Sequence, residues 1–197
     1  MASPAIPALG LQNNETDLTL SGRGFIYSSA AAGVVAAAAS TSSPMMLWNP
    51  SDSGVNLRIL EVRIGAVSGT VITSHLGYGF LTGAGAQVGT AQPIVSATFA
   101  NPVNLLISGG KASRIKFAPA TVSLTAAPTY LMTSGMSAGG ALAAGPVFEL
   151  VDFFQNGKII VPPGVAFFAF VSNAAMALTA SIAVIGVEEP IPVTGNY

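Results

Sequence analysis

From Gly22 onward, short apolar runs alternate with clusters of Gly, Pro, Asn and Ser, a rhythm typical of all-β proteins. Within residues 55–64, apolar and polar positions alternate twice, and the parity reverses between Ile59 and Leu60. A bulge near these two residues would place both apolar sets on one face of a single strand. The pattern therefore predicts one long strand that is interrupted by a bulge.

A second signal lies in the last third of the chain. Two apolar runs, residues 147–154 and 158–161, flank Gln155-Asn156-Gly157. Asn-Gly supplies the positive φ angles that a tight hairpin turn requires. The spacing predicts a β-hairpin with its turn at these three residues.

Residues 165–187 carry no charge and are long enough to cross a bilayer as a helix. Ser172 and Asn173 near the middle, and the Pro162-Pro163-Gly164 entry, favour two strands, 165–171 and 178–184, over a membrane helix. The first ten residues have no basic region and contain two prolines, so they do not resemble a signal peptide. We expect cytosolic synthesis and no membrane partner.

Further apolar runs predict strands along the rest of the chain, whereas no span shows a sustained helical period. Ala30–Ala39 stays open, because its alanines favour helix while Gly33, Val34 and Val35 do not. The other predicted strands are residues 24–29, 45–48, 74–81, 94–99, 105–107, 113–117, 122–124 and 130–133.

This number of strands predicts an all-β domain of two packed antiparallel sheets or a barrel. A jelly-roll-like sandwich is the natural form at this length. We expect a Pro-punctuated, extended N-terminal arm at residues 1–20, the β domain at 21–192 and a short tail at 193–197.

Composition narrows the class of function. Charged residues make up 8% of the 197 residues, against about 25% in typical soluble domains, and 51% are hydrophobic. Seven basic and eight acidic residues leave a net charge of −1, which is too little to neutralise a run of phosphates. Nucleic acid is therefore not an expected partner. The chain has no Cys, which excludes disulfides and thiolate metal sites.

Four short motifs suggest chemistry without completing it. Gly135-Met136-Ser137-Ala138-Gly139 fits a nucleophile elbow, but the one histidine, His75, precedes the serine instead of following it. His75 alone does not make a zinc site. The glycine-rich residues 83–89 have the wrong spacing for a dinucleotide, and 109–112 lack the remaining residues of a phosphate loop.

Charged and aromatic residues give no clear site either. Glu149 and Asp152 are predicted on opposite faces of one strand, and so not as an acid/base pair unless a bulge intervenes. Lys111, Arg114 and Lys116 form a small basic cluster that a solvated strand face explains. The aromatic residues are dispersed; these are Trp48, Tyr27, Tyr78 and Tyr130. We predict no catalytic, cofactor-binding or metal-binding residues, and no cofactor.

The scarcity of charge itself points to a function. Fifteen charged side chains are few for the exterior of a monomer, although Ala, Gly, Ser and Thr provide a neutral surface. Permanent interfaces are depleted in charge and resemble a domain core cut open. We therefore expect a homo-oligomer, a trimer or another closed assembly.

Two stretches carry a resemblance. Residues 47–57, LWNPSDSGVNL, continuing to 64–70, IGAVSGT, look like a segment of structural proteins of tailed bacteriophages. Residues 160–164, IVPPG, with a final strand that ends at Glu188-Glu189, are similar to the last strands of virion jelly-roll proteins. The resemblance implies a head decoration or cement protein, or a fibre component, with no catalytic residues to carry over.

The leading hypothesis is a non-enzymatic virion protein that oligomerises and binds the major capsid protein or another virion protein. An alternative is a receptor- or carbohydrate-binding module of a head or tail fibre, with Trp48, Tyr78 and Asp52 in its site. A hydrolase that uses Ser137 and a membrane protein are the remaining alternatives.

Overall fold

The computed structural model describes residues 17–29, 34–35, 42–70, 74–82, 94–96, 99–107, 110–124, 129–136, 141–142, 148–172 and 178–191. Within them the regular structure is fifteen strands and a helical turn at residues 17–20, so the described chain is nearly all-β, as predicted. In chain order the strands are β1 (Gly24–Ser28), β2 (Val34–Val35), β3 (Ser42–Ser43), β4 (Met46–Asn49), β5 (Val55–Thr70), β6 (Ser74–Thr82), β7 (Ile94–Ser96), β8 (Val103–Asn104), β9 (Lys116–Ala118), β10 (Val122–Leu124), β11 (Thr129–Met136), β12 (Ala141–Leu142), β13 (Phe148–Val161), β14 (Val165–Ser172) and β15 (Leu178–Pro190).

The strands form two main antiparallel sheets and one small sheet. The first sheet has the order β13-β5-β15-β1-β8, with β12 beside β5 and β2 beside β15. The second sheet has the order β11-β6-β14-β4-β9, and the small sheet is β3-β10-β7. As a result, β13 and β8 stand at opposite edges of the first sheet.

Eight of these strands pair in a nested pattern. Taken in chain order as β1, β4, β5, β6, β11, β13, β14 and β15, the first pairs with the eighth and the second with the seventh. The third pairs with the sixth, and the fourth with the fifth. Two further ladders, β15 with β5 and β14 with β6, complete the two sheets. The chain is thus a long antiparallel hairpin that is divided between two sheets.

One hydrophobic core joins the two main sheets. Its buried residues come from β1, β5, β13 and β15 of the first sheet and from β4, β6, β9 and β14 of the second. Tyr27 of β1 packs edge-on against Phe117 of β9, with ring centroids 5.7 Å apart. Burial of this apolar surface is the main favourable term that holds the sheets together.

Two strands of the second sheet, β4 and β14, are buried on both faces. Successive residues of β4 alternate between two clusters: Leu47 lies in the main core, whereas Met46 and Trp48 pack with Val122 of β10 in the second cluster. A strand with two buried faces reads as a continuous apolar run instead of an alternating one. This explains why MMLW at residues 45–48 shows no polar position.

The bulge in β5 is confirmed. Ile185 lies opposite Glu61 and the next residue, Gly186, lies opposite Ile59, so Leu60 is the extra residue. On either side of it, Ile59 and Val62 are both fully buried. The extra residue restores the parity, and both apolar sets therefore face the core.

The predicted hairpin at Gln155-Asn156-Gly157 is wrong. Both flanking segments pair with β5 in the same direction, with Phe154 opposite Glu61 and Ile159 opposite Ile59. Gly157 does adopt a positive φ of 72°. The chain uses that conformation for a bulge in one strand, β13, and continues forward instead of reversing.

Several smaller expectations are corrected. Residues 105–107 form no strand, and the short strand at this place is β8. Val34 and Val35 of the ambiguous alanine-rich stretch pair with β15. Residues 17–20, expected as part of an extended arm, form a helical turn.

Over the part of the chain described here, no helix is long and apolar enough to span a bilayer.

Candidate functional site

An apolar groove lies between the outermost strands of the two main sheets, β13 and β11. Its volume is about 410 Å³, and its walls are residues 158–162 together with Phe80, Leu131, Val165 and Phe167. Neighbouring side chains of a strand point to opposite faces, so five consecutive lining residues show that the edge of β13 itself forms one wall.

The rim of this groove exposes aliphatic surface. Ile160 of β13 is 52% exposed and Leu131 of β11 is 48% exposed. Among the described residues of the lining, Lys158 is the one that carries a charge. Such a concave and largely apolar surface is typical of binding sites.

The turn that follows β13 brings both of its flanking strands to the groove. Gly164, with a φ of 83°, lets the chain pass from the first sheet into the second within three residues. The backbone N–H of Gly164 donates to the carbonyl of Asn49 at 2.7 Å. Residues before this turn, 158–162, and after it, Val165 and Phe167, line the groove.

Asn49 joins the two main sheets close to that turn. Its fully buried side-chain amide donates to the carbonyl of Val55 at 2.8 Å and to that of Val161 at 2.9 Å. Asn49 belongs to β4 of the second sheet, whereas Val55 and Val161 belong to β5 and β13 of the first. One amide group thus satisfies two buried carbonyls and holds the sheets together at this end.

Glu188 makes a second bridge between the sheets. Its carboxylate, 2% exposed, accepts hydrogen bonds from the Ser113 hydroxyl and from the backbone N–H groups of Arg114 and Ile115. Burial, and then the negative charge of this carboxylate, raise the pKa of Tyr27 well above its ordinary value of 10.0. The arrangement fixes structure, and it holds no histidine or cysteine to act as a base or nucleophile.

A compact corner stands at the opposite edge of the first sheet. It is built from residues 17–22, which include the helical turn, and from residues 103–107 and 110–111, and the side chain of Asn104 joins the two segments. Its amide donates to the carbonyls of Gly22 at 2.8 Å and Lys111 at 2.9 Å. Its carbonyl oxygen accepts from the N–H of Leu106 at 2.8 Å.

This edge corner carries three strongly exposed aliphatic side chains. Leu20 is 65% exposed, Val103 63% and Ile107 95%. An isoleucine that is almost completely exposed on a bend makes no contribution to the core of its own chain. The edge corner and the groove are therefore the two candidate interaction surfaces of the described chain.

Two residues of the predicted basic cluster make contacts within the chain, although all three are exposed. The guanidinium of Arg114 donates to the carbonyl of Ser53 at 2.8 Å. The ammonium of Lys116 lies 5.2 Å from the ring centroid of Trp48 and 5.6 Å from that of Phe99. These contacts explain the two cations without an acidic partner.

The residues suggested for a sugar site do not come together. Trp48 is 7% exposed in the second cluster, and Tyr78 is 3% exposed in the main core. Asp52 is exposed on a turn. With its two rings buried in different clusters, this set does not form a stacking platform.

The motifs with possible chemistry have mixed outcomes. Ser137, residues 83–89 and Gly109 lie outside the described residues. His75 pairs with Gly135 in the ladder between β6 and β11. Among the residues that the structure covers, no group of three or more acidic or histidine side chains is placed to hold a metal ion.

The prediction for Glu149 and Asp152 left open the case of a bulge, and the backbone has one between them. The register shifts after Glu149, which lies opposite Gly65, and Asp152 then lies opposite Arg63. Gly65 and Arg63 are two residues apart on β5, so a bulge brings Glu149 and Asp152 to positions on the same face of the sheet. The sequence alternation alone does not reveal this bulge.

Comparison with known proteins finds no match to this chain among protein families, curated proteins or solved structures.

Proposed function

We propose that this chain is a non-enzymatic structural protein of a virus particle, a decoration or cement protein of a tailed-phage head. In this proposal the two sheets form a jelly-roll sandwich, and the residues before the helical turn at 17–20 form an arm beside it. The protein is made in the host cytoplasm and ends in the virion. It assembles with copies of itself, as a trimer or another closed form, and binds the major capsid protein or another virion protein.

The nested pairing of eight strands is the observation that carries the proposal. In a jelly roll, a long antiparallel hairpin is rolled into two four-stranded sheets. The first of its eight strands pairs with the eighth, the second with the seventh, the third with the sixth and the fourth with the fifth. The ladders between β1 and β15, β4 and β14, β5 and β13, and β6 and β11 have this order. Viral capsid proteins are among the proteins that use this architecture.

The surface supports assembly. Charged residues are 8% of the chain, and large aliphatic side chains remain exposed at both edges of the first sheet. Interfaces with permanent partners are poor in charge and rich in apolar contacts. A shell protein is surrounded by neighbouring copies in the particle, so it does not need a strongly charged exterior.

Particle binding tests the proposal. Phage particles are purified from a lysate in which the chain is produced, and their peptides are quantified by mass spectrometry. We expect the chain in a copy number comparable to that of a shell protein. Purified chain added to particles assembled without it is expected to cosediment with them, whereas an unrelated β protein of similar size stays in the supernatant. Absence from the particles and failure to cosediment would contradict the proposal.

A further inference from the structure

We propose that the groove between β13 and β11 receives the edge corner of a second copy, so that copies join head to tail. This inference rests on the proposed function, because it names the surfaces by which the copies assemble. The occupant of the groove is the exposed aliphatic cluster of the next chain, led by Ile107.

The distribution of exposed apolar side chains supports this pairing. Of the seven large hydrophobic side chains exposed in the described residues, five lie on these two surfaces. Leu20, Val103 and Ile107 belong to the edge corner, and Leu131 and Ile160 to the groove. Exposed aliphatic side chains that concentrate in patches mark interaction sites, whereas scattered ones do not.

The two surfaces are complementary in form. Ile107, 95% exposed, projects from a bend, while the groove is a concavity of about 410 Å³. That volume lies within the range of about 300–1,000 Å³ that holds a drug-sized ligand, which is larger than one aliphatic side chain. The groove therefore has room for Ile107 and a neighbouring side chain.

The apolar area suits the centre of an interface. At about 30 Å² per methylene group, the exposed parts of the five side chains amount to about 400 Å². A stable interface of standard size buries about 1,600 Å² in total, with an apolar centre and a polar rim. These five residues supply apolar surface for the centre of such an interface.

Charges at the two surfaces do not oppose the contact. Lys158 is the only charged residue in the described part of the groove lining, and the edge corner carries both an acid, Asp17, and a base, Lys111. Neither surface presents a run of like charges, so the burial of apolar side chains decides the contact.

The topology makes the contact repeat. The groove borders β13 and the edge corner borders β8, which are the opposite edges of the first sheet. A contact between two different surfaces is heterologous, so it joins copies into a closed ring or an open filament. The trimer or other closed assembly of the proposed function corresponds to the ring.

Two substitutions and their mixture test the inference. Ile107→Asp disables the edge corner, and Ile160→Asp disables the groove. Each variant alone is expected to be monomeric by light scattering. An equimolar mixture is expected to form a one-to-one heterodimer, because the intact edge corner of Ile160→Asp still fits the intact groove of Ile107→Asp. Ile191→Asp makes the same change at an exposed isoleucine outside both surfaces and is expected to assemble like the wild type.

Circular dichroism verifies that each variant keeps its β structure. A wild-type oligomer that both variants leave intact would overturn the inference while the proposed function stands. Variants that dissociate but give no heterodimer on mixing would also overturn it, because they would indicate a two-fold contact. A wild-type chain that is monomeric at micromolar concentration would overturn the inference, and the particle-binding experiment would then decide the proposed function separately.

Discussion

The carboxylate of Glu188 accepts a hydrogen bond from the backbone N–H of Arg114, with the nitrogen 3.0 Å from one oxygen and 3.2 Å from the other. Glu188 lies near the end of β15 in the first sheet, and Arg114 lies just before β9 in the second. In the described part of the chain, the segment before β9 has no neighbouring strand to accept its backbone N–H groups. The buried carboxylate of Glu188 accepts them instead, so these donors are not left unpaired.

We expect Glu188→Gln to lower the free energy of unfolding by about 2–3 kcal/mol, because a neutral amide oxygen accepts these hydrogen bonds less strongly than a carboxylate does. Chemical denaturation measures the change. Glu189→Gln, at the adjacent and more exposed position, is the matched control and is expected to change stability by less than about 0.5 kcal/mol. Equal effects at the two positions would show that the buried carboxylate has no special role.

The raised pKa of Tyr27 predicts that the folded chain loses stability at alkaline pH. Burial and the Glu188 carboxylate raise its pKa in the folded chain well above 10.0, so the unfolded chain releases this proton first. The contribution of Tyr27 is therefore fully present below pH 10 and is lost as the pH rises through the folded-state pKa. Urea unfolding measures the free energy of unfolding at each pH. Between about pH 8 and pH 11 we expect this free energy to decline less for Tyr27→Phe than for the wild type. An equal decline in the free energy of unfolding of the two proteins would contradict this role of Tyr27.

A substitution at Asn49 tests the other bridge between the two main sheets. Asn49→Asp replaces an amide that donates to two buried carbonyls with a carboxylate that has no donor. We expect a loss of about 3–5 kcal/mol, because an unpaired charge becomes buried against carbonyl oxygens. Thermal unfolding followed by circular dichroism measures it. Asn101→Asp, on an exposed loop, should leave the melting temperature almost unchanged, and a comparable loss there would refute the bridging role of Asn49.

Trp48 reports on the second cluster by fluorescence. It is the only tryptophan of the chain and is 7% exposed. We expect blue-shifted emission that acrylamide quenches poorly, since neither water nor the quencher reaches the ring. Emission typical of a solvated indole, with efficient quenching, would contradict the packing and would restore Trp48 as a candidate for sugar stacking.

The sequence predicts part of the fold because some signals are local. The parity reversal at Ile59–Leu60 identifies the bulge in β5 without knowledge of any partner strand. Asn156-Gly157 shows the limit of such reasoning, since a positive φ fits both a hairpin turn and a bulge. The choice depends on β5, which lies about 90 residues away in the sequence and pairs with both flanking segments.

The two exposed apolar surfaces, the groove and the edge corner, are not predictable from the sequence. Ile107 and Ile160 resemble ordinary core residues of short apolar runs, and only the three-dimensional arrangement exposes them. Glu188 shows the reverse case: it follows the buried Val187 in the same strand, where alternation would place it at the surface. Its burial depends on the three donors that residues 113–115 bring to it from the other sheet.

The central claim is that a chain with so little charge hides apolar surface against copies of itself. The molar mass of the purified full-length chain in solution, measured by light scattering at micromolar concentration, tests this claim most directly. The account predicts a discrete multiple of 19.7 kDa, at least three-fold, that persists on dilution within this range. A single well-behaved species of 19.7 kDa would contradict it.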